Sequence, residues 1–145
     1  MSSQPEAEIN KVFESAIRAI HARNLEQSVA DYADDVVRFD VGAPPIAQNG
    51  KREVHDRNKE WLASWSSSIE IEVRDLVITA SDTVGFVRSL QHVSGTTKDG
   101  TQKISMWIRW TGGFEKRNGS WKIVHEHVSA PLDLATMTAK LDAAP

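Results

Sequence analysis

From Ile69 to Ser129 the chain alternates with a period of two through four successive stretches. Residues two apart share one face of a strand, so this half of the chain is committed to sheet. Ile69, Ile71, Val73 and Asp75 form one face of the first stretch, and Glu70, Glu72, Arg74 and Leu76 form the other. Val84, Phe86, Arg88, Leu90 and His92 share a face of the second, and Ile104, Met106, Ile108 and Trp110 a face of the third. Trp121, Ile123, His125, His127 and Ser129 line up on the fourth. Gly95 to Gly100 and Arg117-Asn118-Gly119-Ser120 read as turns between strands, Asn-Gly being a strong hairpin signal.

Ahead of this half the period is helical. Ile9, Val12, Phe13, Ala16, Ile17 and Ile20 fall on one stripe, and Ser3 with Glu6 has capping-box spacing, which starts a helix near Gln4. Asn24, three residues before Gln27, caps a second short helix whose buried side is Leu25, Val29 and Tyr32. Val36 to Val41 reads as a short strand ended by Gly42 and Pro44-Pro45. A third helix runs from about Lys51 to Trp65, with Val54, Trp61, Leu62 and Trp65 as its apolar stripe. Helices followed by long antiparallel strands give an α+β class. The 145 residues fit a single domain, with a core of about 6–131 and a tail over 132–145.

Charge and composition exclude several functions. Lys plus Arg number 17 against 20 Asp plus Glu, a net charge of −3, and no basic cluster exists for nucleic acid. The absence of cysteine removes disulfides, thiolate catalysis and Cys-ligated zinc. No apolar run approaches the ~20 residues of a membrane helix, and Met1 to Glu6 lacks signal-peptide character, so the expectation is a soluble cytoplasmic domain.

Three features can carry chemistry. Asp40 stands between Phe39 and Val41 at a strand end. A carboxylate in apolar surroundings has its ionisation disfavoured and suits general acid or base work. The plainer role is an aspartate that hydrogen-bonds the loop of Gly42 to Pro45. His125-Glu126-His127 puts both imidazoles on one strand face about 7 Å apart, either as a polar cluster or as two ligands of an incomplete metal set. With no third ligand at diagnostic spacing, no metal is expected. Glu126 points the other way, among Val124 and Val128. Five tryptophans serve as core, interface or cavity wall. A regular two-residue turn would pair Trp110 with His127, whereas a bulge near Gly112-Gly113 would place Arg109 and Thr111 with His125, His127 and Ser129.

The chain resembles the SnoaL-like branch of the nuclear transport factor 2-like superfamily, the ketosteroid isomerase homologues. The match is carried by Tyr32-Ala33-Asp34-Asp35 leading into Phe39-Asp40, by Pro44-Pro45 and Gly50, by Met106-Trp107-Ile108-Arg109, and most strongly by Gly119 through Ser129. The resemblance implies a cone-shaped fold with three N-terminal helices packed in a curved antiparallel sheet around a hydrophobic cavity, and a homodimer formed through the outer sheet face. Aligned on Ala33-Asp34-Asp35, Asp40 takes the place of the isomerases' general base. Ala16 and Trp110 then replace their tyrosine and protonated aspartic acid. Loss of one such donor costs about 10²–10³ in rate, which argues against steroid isomerisation by that mechanism. The same alignment turns Val124, Glu126 and Val128 inward and the histidines outward. Polyketide cyclases of the superfamily also use an acid/base residue and no cofactor, whereas a kinase association domain with a similar closing strand is an assembly module.

Two functions follow as expectations. One is a cofactor-independent isomerase, cyclase or hydrolase of a hydrophobic polyketide- or steroid-like compound, with Asp40, Glu126, His125 and His127 as acid/base groups. Its pocket would be lined by Phe39, Trp61, Trp65 and Phe86 from the first two-thirds of the chain. Met106, Ile108, Trp110, Val124 and Val128 would complete it. The other is a non-catalytic ligand-binding or dimerisation module, since a fold of this kind hosts both.

Overall fold

The computed structural model describes residues 1–42 and 44–145. Helix α1 (Gln4–His21) begins with the capping box: Ser3 Oγ accepts from Glu6 N at 3.4 Å, and Glu6 Oε2 accepts from Ser3 N at 2.8 Å. Asn24 caps α2 (Leu25–Val29) through Gln27 N. Strand β1 (Tyr32–Phe39) and the short β2 (Gln48–Asn49) precede α3 (Lys51–Ala63). Then come β3 (Glu70–Ala80), β4 (Val84–Thr96), β5 (Lys103–Arg117) and β6 (Ser120–Ser129). A hairpin of β7 (Leu132–Asp133) and β8 (Thr138–Ala139) closes the chain, and Leu141 O accepts from Trp107 N at 2.7 Å.

Six strands form one sheet in the order β2-β1-β6-β5-β4-β3. The pairs from β3 to β6 are antiparallel, as hairpins require, but β1 runs parallel to β6. The sheet is therefore mixed. The long connection through α3 and β3–β5 frees β1 and β6 from the antiparallel geometry that a tight turn imposes. Strand β1 also starts four residues earlier than its β-branched core suggests, so Tyr32 belongs to the sheet.

The helices cover the inner face. Ile9 and Phe13, one turn apart on α1, are buried against that face, and Phe13 meets Trp110 with ring centroids 5.3 Å apart. Burial of each such side chain is worth about 1.5–3 kcal/mol. The N-terminal part of α1 is tied to the β5–β6 hairpin by Glu8, which accepts from Lys116 Nζ at 2.9 Å and Trp121 Nε1 at 2.7 Å. These donors, Lys116 foremost, hold the Glu8 carboxyl at about 2.

Register decides which side chains face inward. The Asn118-Gly119 turn pairs Arg117 with Ser120 and Lys116 with Trp121. Between Phe114–Ile123 and Gly113–His125 the ladder skips Val124, which is the extra residue of a bulge on β6. Beyond it Trp110 pairs with Val128, and Arg109, Thr111, His125, His127 and Ser129 share the outer face. Gly112 and Gly113 lie opposite the bulge and do not contain it.

Candidate functional site

Between helices and sheet lies a cavity of about 240 Å³, walled mainly by apolar side chains. Four charged groups reach it: Arg38, Asp40, Arg57 and Glu126. Their placement follows from the elements that carry them. In β1 the inward sequence is Val36 then Arg38, so Arg38 enters the core at 6 % exposure while Phe39 turns out. The bulge at Val124 lets Ile123 and Glu126, three residues apart, both point inward. Arg57 reaches the cavity from α3.

Glu126 is 6 % exposed and surrounded by donors. Trp110 Nε1 donates to its Oε1 at 2.6 Å, Tyr32 donates its hydroxyl to Oε2, and Arg38 Nη1 lies 4.0 Å from Oε2. A buried carboxylate is tolerated only with such partners. Burial, and then the adjoining Glu126 charge, push the Tyr32 hydroxyl well above its usual range, so it stays a donor. Gly112 makes the Trp110 bond possible. It pairs with Glu126, and a Cβ on it would stand 2.4 Å from the Trp110 ring. Only glycine lets that indole lie across the backbone toward the next strand.

Arg38 joins the two carboxylates. Its Nε donates to Gln48 Oε1 at 2.6 Å and its Nη1 to Asn58 Oδ1 at 2.8 Å, while Nη2 stands 3.8 Å from Asp40 Oδ2. Asn58 in turn donates to Ser28 Oγ at 3.2 Å. Burial opposes the charge on Arg38, but Glu126, Tyr32 and Asp40 outweigh it and raise its pKa further.

Asp40 stands just past the end of β1 with its side chain 22 % exposed. Its Oδ1 accepts from Val41 N at 2.8 Å and its Oδ2 from Gln48 Nε2 at 3.4 Å, with Arg57 Nε 3.9 Å away. Two guanidinium groups flank the carboxylate, so its setting is cationic and not the apolar one its neighbours in sequence suggest. The aspartate's bond to Val41 is the short loop contact of the plainer reading; Ala43, inside that loop, lies outside the described residues.

The other expected site residues divide. Trp61, Met106, Ile108, Trp110 and Val128 line the cavity. Phe39 is 40 % exposed on the outer face, its ring edge-on to His125 and His127 at 4.9 and 5.6 Å. The histidines are there because the bulge sends every second residue after Val124 outward; His125 Nδ1 is bonded to Val37 O at 2.7 Å. Neither imidazole reaches the cavity. Val124 is the bulge residue and leaves the wall to Ile123. Phe86 is 47 % exposed, since the inward row of β4 is Val87, Ser89, Gln91 and Val93. Trp65 follows the end of α3, bridges to Thr97 and packs edge-on to Trp61 behind the cavity wall. Among the described residues no cluster of three His, Asp or Glu groups is arranged to hold a metal ion, and no helix is long and apolar enough to cross a membrane.

The sequence reading missed Arg38, Tyr32, Arg57, Asn58 and Gln91 as cavity groups. Arg38 carries the one signal available: its place two residues after a buried valine in a strand.

The SnoaL-like domain family matches residues 9–133. No curated protein matches the chain. Among solved structures, a nuclear transport factor 2-like protein of unknown function from Pseudomonas putida is 27% identical, with 100% of this chain and 99% of that one covered and a TM-score of 0.90. A ketosteroid isomerase-like protein from Erwinia carotovora is 22% identical over 88% of this chain and 97% of that one, at a TM-score of 0.75. A candidate scytalone dehydratase from Novosphingobium aromaticivorans is 15% identical over 84% and 80%, at 0.74. The last two likenesses are of fold.

Proposed function

This chain belongs to the SnoaL-like domain family, and from that membership and the cavity we propose a cofactor-independent acid/base enzyme acting on a compact hydrophobic carbonyl compound. The observation that carries the reading is Asp40, whose carboxylate opens on an apolar cavity beside two guanidinium groups. Glu126, its side chain 8 % exposed, is hydrogen-bonded to Trp110 and Tyr32 and anchors the wall; Asp40, its side chain 22 % exposed at the cavity, is the carboxylate a ligand can reach. In the proposed step a proton passes from the carbon next to the carbonyl to Asp40, and the electron pair moves to the carbonyl oxygen. Among the described residues Arg57 makes only long ion pairs, 3.9 Å to Asp40 and 3.5 Å to Glu60, which leaves N–H groups to steady that oxygen. Return of the proton to another carbon completes an isomerisation. In the cyclase variant the carbanion attacks a second carbonyl of the same compound and the proton returns to the oxygen so formed. In the hydrolase variant Asp40 takes its proton from a water that adds to the carbonyl carbon and returns it to the leaving group.

Trp110 and Tyr32 do not supply an oxyanion hole, because both donors are spent on Glu126. That supports an activity other than steroid isomerisation. Size supports it too: about 240 Å³ is below the roughly 300–1,000 Å³ of pockets for drug-sized ligands and suits one or two fused rings.

The test is solvent deuterium uptake at the carbon beside the ketone of α-tetralone. The wild-type chain is expected to speed it, and Asp40→Asn to reduce that effect by about 10²-fold or more, the scale of one general base. Equal rates with both proteins would overturn the reading. The flanking of Asp40 by Arg38 and Arg57 favours a second reading, a ligand-binding module in which Asp40 only orders the cavity mouth. Under it the probe binds and no exchange is catalysed.

A further inference from the structure

On β4 the inward row contains two polar residues, Ser89 and Gln91, between Val87 and Val93. Both are more than nine-tenths buried, and Gln91 is 4 % exposed. Polar groups in such a position are ordinarily paired within the protein. Gln91 is only half paired: its Nε2 donates to Ser89 Oγ at 3.2 Å, and among the described residues nothing donates to its Oε1. That oxygen is not sealed inside packed protein either. The one enclosed side-chain polar atom without a partner among the described residues is Trp65 Nε1. Gln91 lines the cavity, so its unpaired amide atom faces cavity space. If the amide is turned over, its NH₂ faces the cavity and its oxygen accepts from Ser89, with the same outcome.

The surroundings define what this amide can bind. Its ladder partners are Ile108 and Val73, and Val93, Met106 and Ile71 adjoin on the same inner wall. Among the described residues no charged group accompanies it there. Strand β5, with Trp110 and Ile108 facing inward, separates it from Glu126 on β6. The cavity thus has a charged station at Asp40, Arg57 and Glu126 and a neutral one at Gln91, with an apolar stretch between.

We infer that Gln91 is a specificity-determining residue that hydrogen-bonds a neutral oxygen, a hydroxyl or carbonyl, on the part of the ligand remote from Asp40. The inference rests on the cavity being the ligand site proposed above. It narrows the substrate class to one- or two-ring compounds with oxygen substituents at both ends. A ligand without the remote oxygen leaves the buried amide unpaired, which is how a polar pocket rejects the analogue that lacks a group.

Binding of α-tetralone and of its analogue hydroxylated on the aromatic ring, opposite the ketone, tests this through quenching of the fluorescence of Trp61 and Trp110. The wild-type chain is expected to bind the hydroxylated probe about tenfold more tightly, the scale of one buried hydrogen bond. Gln91→Met keeps the side chain's length and removes its polarity; it is expected to bind the two probes about equally, and to hold the parent compound at least as tightly as the wild type does, since no amide is left unpaired. A wild-type preference that persists in Gln91→Met, or no preference in the wild type, overturns the inference and leaves the ligand site standing. Failure of both probes to bind the wild type overturns the ligand site and the inference together. Should Gln91→Met not fold, Gln91→Leu carries the same comparison.

Discussion

Arg38 is the residue on which the polar wall depends. It is buried between Glu126 and Asp40 and satisfied by Gln48 and Asn58. Removing one partner of such a group leaves the other charge buried and alone, at a cost of about 3–5 kcal/mol. Arg38→Met is therefore expected to lose stability on that scale in urea unfolding, and Arg38→Met with Glu126→Gln to lose less than the sum of the single changes. Additive losses would show that the two side chains do not interact. Asp40 and Glu126 were singled out in the sequence, Asp40 by its strand-end position and Glu126 by its alternation with Val128 and by the family resemblance, which turned it inward. Arg38 was not, because a lone arginine in a short strand reads as a solvated side chain unless the strand's inner face is known. Gln91 was hidden for the same reason: its neighbours Leu90 and His92 are no more polar than it is, and nothing in the alternation says which row of β4 is buried.

Among the elements, helices and their caps were legible because they rest on local spacing. Ser3–Glu6 and Asn24–Gln27 need no knowledge of the rest of the chain. The side chains of β6 were not, because a single extra residue reverses everything beyond it. Val124 carries no signal as a bulge, but the glycine pair marked its neighbourhood: the register shifts beside Gly113, and Gly112 lets Trp110 cross toward Glu126. Glu8 is held at about 2, below the ordinary 4.5, so its contribution is whole above about pH 4.5 and is lost as pH falls toward 2. Glu8→Gln is expected to unfold at a lower temperature than wild type at neutral pH, with the gap closing through that acid window. A gap that stays constant from neutral pH to pH 2 would mean that Glu8 acts through packing and not through its charge.

At the scale of the whole molecule, the mixed sheet has one face covered by helices and the other bearing Phe39, Val77 and Phe86 as exposed apolar side chains. We propose that this outer face joins two copies of the chain. The wild type is then expected to sediment at twice the mass of one chain, and Phe39→Glu with Phe86→Glu to sediment as single chains that remain folded; a wild type of single-chain mass would contradict it. The α+β architecture was legible from the two periodicities alone, whereas the parallel pairing of β1 with β6 is a long-range choice that no local pattern encodes. The proposed ligand site is the hollow between α1, α3 and the inner sheet face, with Asp40 at its polar wall. A crystal structure of the chain grown with α-tetralone measures this directly. Density for the probe against Trp61 and Trp110, with its ketone turned to Asp40 and Arg57, is the predicted result. Side chains packed through the hollow, or a probe bound anywhere but there, would contradict it.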